Sequence, residues 1–154
     1  MPPVWCRLGD KAPRATYIAG MDKPADPDAI TLIYDGQCPA CTAYSEAVEP
    51  AAGTTLERID ARSDDPLVRE ATAAGYDLDE GMIVMHGGRY YHGAEALSFM
   101  ARRTPASGLT HRFHRLLLGS SAVSRAIYPA LRAGRNGLLK LLGRKKIGAV
   151  DKAA

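Results

Sequence analysis

The chain has 154 residues, 46% hydrophobic and 24% charged, the composition of an ordinary globular domain able to build a core without disulfide staples. Three cysteines are too few and odd in number for a disulfide framework. No run of about 18 apolar residues offers a membrane span, and the first residues lack the apolar stretch of a signal peptide, so a cytoplasmic protein is expected.

The net charge of +3 divides unevenly. Residues 1–101 carry −8 and residues 102–154 carry +11, an acidic body with a basic tail, which speaks of partners rather than of fold. Residues 1–29 hold Pro2, Pro3, Pro13, Pro24 and Pro27 and no sustained period, which predicts an irregular arm. Cys6 in that arm is a thiol without a nearby partner, and Met21 is an alternative translation start.

Residues 30–34, Ile-Thr-Leu-Ile-Tyr, read as a buried strand. The turn Asp35-Gly36-Gln37 follows, then a helix opening at Cys38-Pro39-Ala40-Cys41. Pro39 suits an early helical position because its missing N–H has no partner there anyway. That helix is expected to run through Ala43, Tyr44, Ala47 and Val48 and to stop near Pro50 or Gly53. Residues 54–60 predict a second strand. Ser63 or Asp64 can cap a second helix with Pro66 in its first turn, Leu67, Val68, Ala71 and Ala74 on its buried side, and Gly75 at its end.

The period then changes. Residues 82–85 and 89–91 read as short strands around the hairpin His86-Gly87-Gly88, and residues 93–100 open a further helix that ends before Pro105. The order β-α-β-α-β-β-α predicts an α/β domain, one sheet with helices on both faces and a right-handed βαβ crossover. This is the order of elements of a thioredoxin-like fold. The domain is expected to span residues 30–104, with residues 105–154 forming a helical, basic C-terminal extension that packs on it and has a flexible end. Phe113, Leu116, Leu117, Val123, Ile127, Leu131, Leu138, Leu141 and Leu142 recur there at helical spacing. Gly119, Pro129, Gly134 and Gly137 interrupt them, which predicts two or three short helices rather than one rod.

Two cysteines separated by two residues at a helix start are suited to thiol–disulfide exchange, because unpaired N–H groups and the positive end of the helix dipole stabilise a thiolate. Cys38, nearest those N–H groups, is the candidate nucleophile, and Cys41, one turn inward, resolves the mixed disulfide. Asp35 either relays the proton of Cys41 or simply starts the Asp-Gly turn. A Cys-x-x-Cys pair can also be half of a zinc site; the available second pair, His111 and His114, lies some seventy residues away at a spacing that fits no common zinc module, so no metal is assigned. His86 and His92 flank the hairpin as surface residues, and Tyr34, Tyr90 and Tyr91 serve as strand packing.

The run Asp35-Gly36-Gln37-Cys38-Pro39-Ala40-Cys41, with Gly88-Arg89 and Gly93-Ala94-Glu95-Ala96-Leu97 further on, resembles the DCC family of predicted thiol–disulfide oxidoreductases; residues 128–136 are similar to that family's tail, and the resemblance covers roughly residues 30–140. It implies a thioredoxin-like fold and a redox dithiol that exchanges two electrons with thiols or disulfides of proteins or small molecules, without a bound cofactor. The Cys-Pro-x-Cys form, with Pro39 beside the nucleophile, is similar to glutaredoxin-like sites. Thioredoxin and glutaredoxin carry a cis-proline before the third strand to hold substrate. Gly81-Met82 stands in that place here, so either Met82 lines the site as the substrate-facing residue or substrate is held differently. The basic tail, with leucines between its charges, is suited either to completing the core or to docking on anionic lipid or an acidic partner; no nucleic-acid motif is present.

Overall fold

The computed structural model describes residues 28–105 and 109–150. The expected arm up to residue 27, with Cys6 and Met21, the expected flexible end after residue 150 and the side chain of His111 lie outside the described residues. The elements are β1 (Ile30–Tyr34), α1 (Pro39–Ala47), β2 (Leu56–Asp60), α2 (Pro66–Ala73), β3 (Ile83–His86), β4 (Arg89–His92), α3 (Ala94–Arg103), α4 (Leu109–Leu118), α5 (Ser121–Leu141) and the short α6 (Ile147–Val150). The strands form one sheet in the order β2-β1-β3-β4, with β1 parallel to β2 and antiparallel to β3, and β4 antiparallel to β3. This mixed α/β arrangement is consistent with a thioredoxin-like fold.

The central strand β1 is apolar on both faces because both are covered. Ile30 and Leu32 pack with Val48, Val84, Ala96, Phe99 and Met100 on the side of α1 and α3. Ile33 faces the other way, into Ile59, Val68, Ala71 and Ile83 on the side of α2. Side chains alternate along a strand, so a slip of one residue would exchange the two sets, and each fully buried Ile or Leu opposes that slip with about 1.5–3 kcal/mol.

Local chemistry sets the helix ends. Cys38, in an extended conformation, is the N-cap of α1, with Pro39 at its first position. No basic residue occupies the last turn of α1; Arg58 of β2 supplies one from outside, donating Nε–H to the Ser45 carbonyl at 2.8 Å and an Nη2 hydrogen to the Val48 carbonyl at 3.0 Å. The cap of α2 is Asp65 rather than Ser63 or Asp64, its carboxylate accepting the Leu67 N–H at 2.8 Å. The two expected caps are engaged elsewhere, Ser63 with the Asp60 carbonyl and Asp64 with Arg69.

The C-terminal segment departs from expectation. Gly119 does separate α4 from α5, but α5 then runs for 21 residues straight through Pro129, Gly134 and Gly137. A proline inside a helix deprives the carbonyl four residues earlier of its donor, here that of Arg125. Both Pro129 and Arg125 are exposed, so water can serve that carbonyl. Elsewhere along its length α5 is held by the domain: Ser124 and Leu139 are buried, and the Tyr128 hydroxyl donates to the Glu80 carbonyl at 2.6 Å.

That tyrosine explains Gly81. A Cβ built at Gly81 would lie 1.9 Å from the Tyr128 oxygen, and Gly93, at φ +57°, is also in close approach to the ring. The site where a cis-proline was expected is therefore the seat of a side chain from the extension. Gly81→Ala is expected to push Tyr128 out and to lower stability by about 1–3 kcal/mol, the range for overpacking a filled site, as measured by urea unfolding. An unchanged midpoint would show that Tyr128 is not seated there.

Candidate active site

Strand β1 delivers the chain to Asp35, and the turn that follows brings Cys38 to the start of α1. The Asp35 carboxylate accepts the Gln37 N–H at 3.0 Å, which closes the turn. Cys38 Sγ accepts the Cys41 N–H at 3.4 Å. A helix N-terminus directs unsatisfied N–H donors at its cap, and here the cap atom is the sulphur itself. Both cysteines are free thiols and lie close together in one cluster with Leu139 and Tyr34. Cys38 is fully buried, and Cys41 keeps 9% of its surface. The residues around them, Gly36, Gln37, Pro39 and Ala40, are exposed.

Leu139 belongs to α5, so the extension covers the dithiol, and several bonds hold it there. Arg135 Nη2 donates to Asp35 Oδ2 at 3.0 Å. Arg62 donates to Asp35 Oδ1 at 2.7 Å and to the Lys145 carbonyl at 2.8 Å. Asp79 accepts the N–H groups of Ile147 and Gly148 at 2.7 and 3.0 Å, and Arg132 pairs with Glu80.

Asp35 thus sits between two guanidinium groups, with 1% of its side chain exposed against 11% for Arg62 and 10% for Arg135. Burial pushes its carboxyl up, but the Arg62 hydrogen bond, the Gln37 N–H and the charges of Arg62 and Arg135 outweigh that and hold it below the usual carboxylate value. Both oxygens accept from guanidinium groups, so this carboxylate is an anchor for arginines.

The guanidinium groups of Arg62 and Arg135 and the carboxylates of Asp35 and Asp60 gather at this turn, Asp60 accepting the N–H groups of Gly36 and Arg62 at 3.0 Å. Burial, followed by the neighbouring Cys38, pushes the Cys41 thiol up to about 12, and Arg135 pulls in the opposite direction. Burial alone would depress Arg135, yet Cys41, Asp35 and Cys38 around it keep it above its ordinary value. A hydrogen bond between Arg135 and Cys41 contributes to both shifts, lowering Cys41 and raising Arg135.

A cavity of about 210 Å³ opens beside the pair. Its wall includes Cys41, Tyr44, Met82, Leu131, Arg135 and Leu138. Cys41 rather than Cys38 faces it; Met82 lines it, and Pro39 does not. The Tyr44 hydroxyl, which has no hydrogen-bond partner among the described residues, belongs to the same wall. His86 and His92 are tied to the Ala29 and Asp77 carbonyls, away from the thiols. No group of three or more His, Cys, Asp or Glu side chains gathers as a metal site among the described residues.

Sequence reasoning had singled out Cys38, Cys41, Asp35, Pro39 and Met82 but not Arg62, Arg135, Tyr128 or Leu139. Arg135 is 100 positions from the carboxylate it binds, and no local pattern announces such a pairing. The available signal was the family-like stretch 128–136, which holds both Tyr128 and Arg135. No curated protein and no solved structure matches the sequence closely enough to count as similar. The family model for DCC1-like thiol-disulfide oxidoreductases matches residues 32–141, a span that takes in the dithiol, both arginines of the Asp35 cluster and all of α5, and the chain belongs to that family.

Proposed function

We propose that the protein is a thiol–disulfide oxidoreductase in which Cys38 attacks a substrate disulfide and Cys41 resolves the product. The observation that carries this reading is the cap geometry: Cys38 Sγ accepts the Cys41 N–H, with the Arg135 guanidinium beside Cys41. Amide donors and a positive charge both favour sulphur as an anion, and burial holds Cys41 as a thiol, which separates the roles of the two cysteines.

The exchange balances without a cofactor. The Cys38 thiolate attacks one sulphur of the substrate, the substrate S–S bond breaks, and the departing thiolate takes up the proton lost from Cys38. Cys41 then attacks Cys38 Sγ, and its proton leaves with the second substrate thiol. The dithiol loses two electrons and the substrate gains two electrons and two protons. Arg135, positioned by Asp35, stabilises negative charge on Cys41 as its proton departs. Met82 and the apolar wall around it receive the group attached to the substrate sulphur, and Pro39 offers exposed surface beside the nucleophile. Because Cys38 has no exposed surface, exchange with any substrate requires the Leu139 end of α5 to shift.

Equilibration of the full chain against glutathione buffers tests the reading. A single two-electron transition is expected between about −200 and −270 mV, the span of glutaredoxins and thioredoxin, with the Cys38–Cys41 disulfide identified by mass. A pair that forms no disulfide across the accessible range would defeat it.

A further inference from the structure

Every exposed large apolar side chain among the described residues belongs to the extension. Leu116 is 77% exposed, Leu117 38%, Val123 37%, Leu131 49%, Leu141 87% and Leu142 47%. The expectation that the tail's leucines complete the core therefore holds for Leu139, which is buried, and fails for most of the others. The placement is ordered. Val123 and Leu141 are 18 residues apart, five turns at about 3.6 residues each, so they project from the same side of α5. They stand about 27 Å apart along the helix at about 1.5 Å per residue, with Leu131 and Leu138 to one side of the line between them.

The charges of this segment have one sign. Residues 109–150 contain nine Lys or Arg and no Asp or Glu. Arg135 and Arg132 are paired with Asp35 and Glu80. Arg112, Arg115, Arg125, Lys140, Arg144, Lys145 and Lys146 are all exposed and form no ion pair among the described residues. Soluble surfaces intersperse both signs and avoid protruding leucines. Exposed apolar side chains accompanied by cations and no anions are the pattern of an element lying in the headgroup region of an anionic bilayer.

We infer that this face of α4 and α5 docks on an anionic lipid surface. A lipid surface is favoured over an acidic protein because the exposed apolar side chains are spread over two helices, from Leu116 to Leu142; a bilayer accepts such side chains without a matching groove. Among the described residues no helix is long and apolar enough to cross a membrane; the attachment inferred here is at the surface. Leu131 and Leu138 also wall the cavity beside Cys41, so docking sets the mouth of that cavity against the lipid.

Co-sedimentation of the full chain with phosphatidylcholine vesicles, with and without phosphatidylserine, tests this. Binding to the phosphatidylserine vesicles is expected to be at least about tenfold tighter and to weaken as salt screens the charges. The double variant Leu116→Glu/Leu141→Glu is expected to lose about tenfold or more of that binding while keeping its unfolding temperature, since both side chains are already exposed. Failure to sediment with either vesicle would overturn the inference. So would binding to polyglutamate but not to vesicles, or a concentration-dependent dimer, abolished by the double variant, in a protein that ignores lipid. None of these outcomes depends on the redox reading, which the glutathione titration tests separately.

Discussion

Cys38→Ser is expected to abolish catalysed exchange, a loss of at least about a thousandfold, since removing a nucleophile removes the covalent pathway and not just a contact. Cys41→Ser is expected to behave differently. Cys38 still attacks, but the mixed disulfide has no resolving thiol and accumulates, visible as a mass increment on the peptide containing Cys38. Serine is close to isosteric with cysteine, so both variants should fold. Both sulphur atoms lie in the cluster under Leu139, and a comparison of unfolding midpoints checks that the cover has not loosened. A Cys38→Ser protein that keeps its rate, or a mixed disulfide that collects on Cys41 in the wild type, would reverse the proposed order of attack.

Asp35→Asn is expected to have the second large effect, in two measurements. Removing the charge leaves Arg62 and Arg135 buried and facing each other without a counter-ion, and breaking a buried ion pair costs about 3–5 kcal/mol. The pH dependence follows from the sign of the shift. The Asp35 carboxyl is held below its usual value in the folded protein, so its contribution is fully present above the unfolded value of about 3.9 and is lost as pH falls through the lower folded value. Wild type should therefore lose stability on acidification through this window, and Asp35→Asn should start lower and lose less there. The second measurement is alkylation of the dithiol near pH 6. An anchor that also tempers the positive charge predicts faster modification in Asp35→Asn, and a proton relay predicts slower exchange. An unchanged acid limb together with slower exchange would restore the relay.

Much of the architecture was legible from local pattern. β1 occupies the expected residues because a β-branched, apolar run bounded by Asp-Gly has few other uses. Pro39 and Pro66 stand at the first turns of α1 and α2, where a missing N–H costs nothing. The Cys-x-x-Cys pair announced its chemistry through spacing at a strand-to-helix junction, which is a local property too.

What the chain did not disclose locally is what surrounds the pair. Glycine and proline read as breaks in the tail, yet α5 continues through Pro129 because packing elsewhere along the helix and water at the freed carbonyl outweigh the lost hydrogen bond. Asp35 read equally well as a turn residue or a relay; its role depends on guanidinium groups 27 and 100 positions away, and long-range ion pairs leave no periodic trace in sequence. Gly81 read as the absence of a proline, whereas in three dimensions it is the space for Tyr128. The stretch 30–41 by itself determined that a Cys-x-x-Cys pair starts a helix. Only the tertiary structure decided that this dithiol is roofed by Leu139, charged by Arg135 and flanked by an apolar cavity, because burial and electrostatics are properties of what folds onto a site.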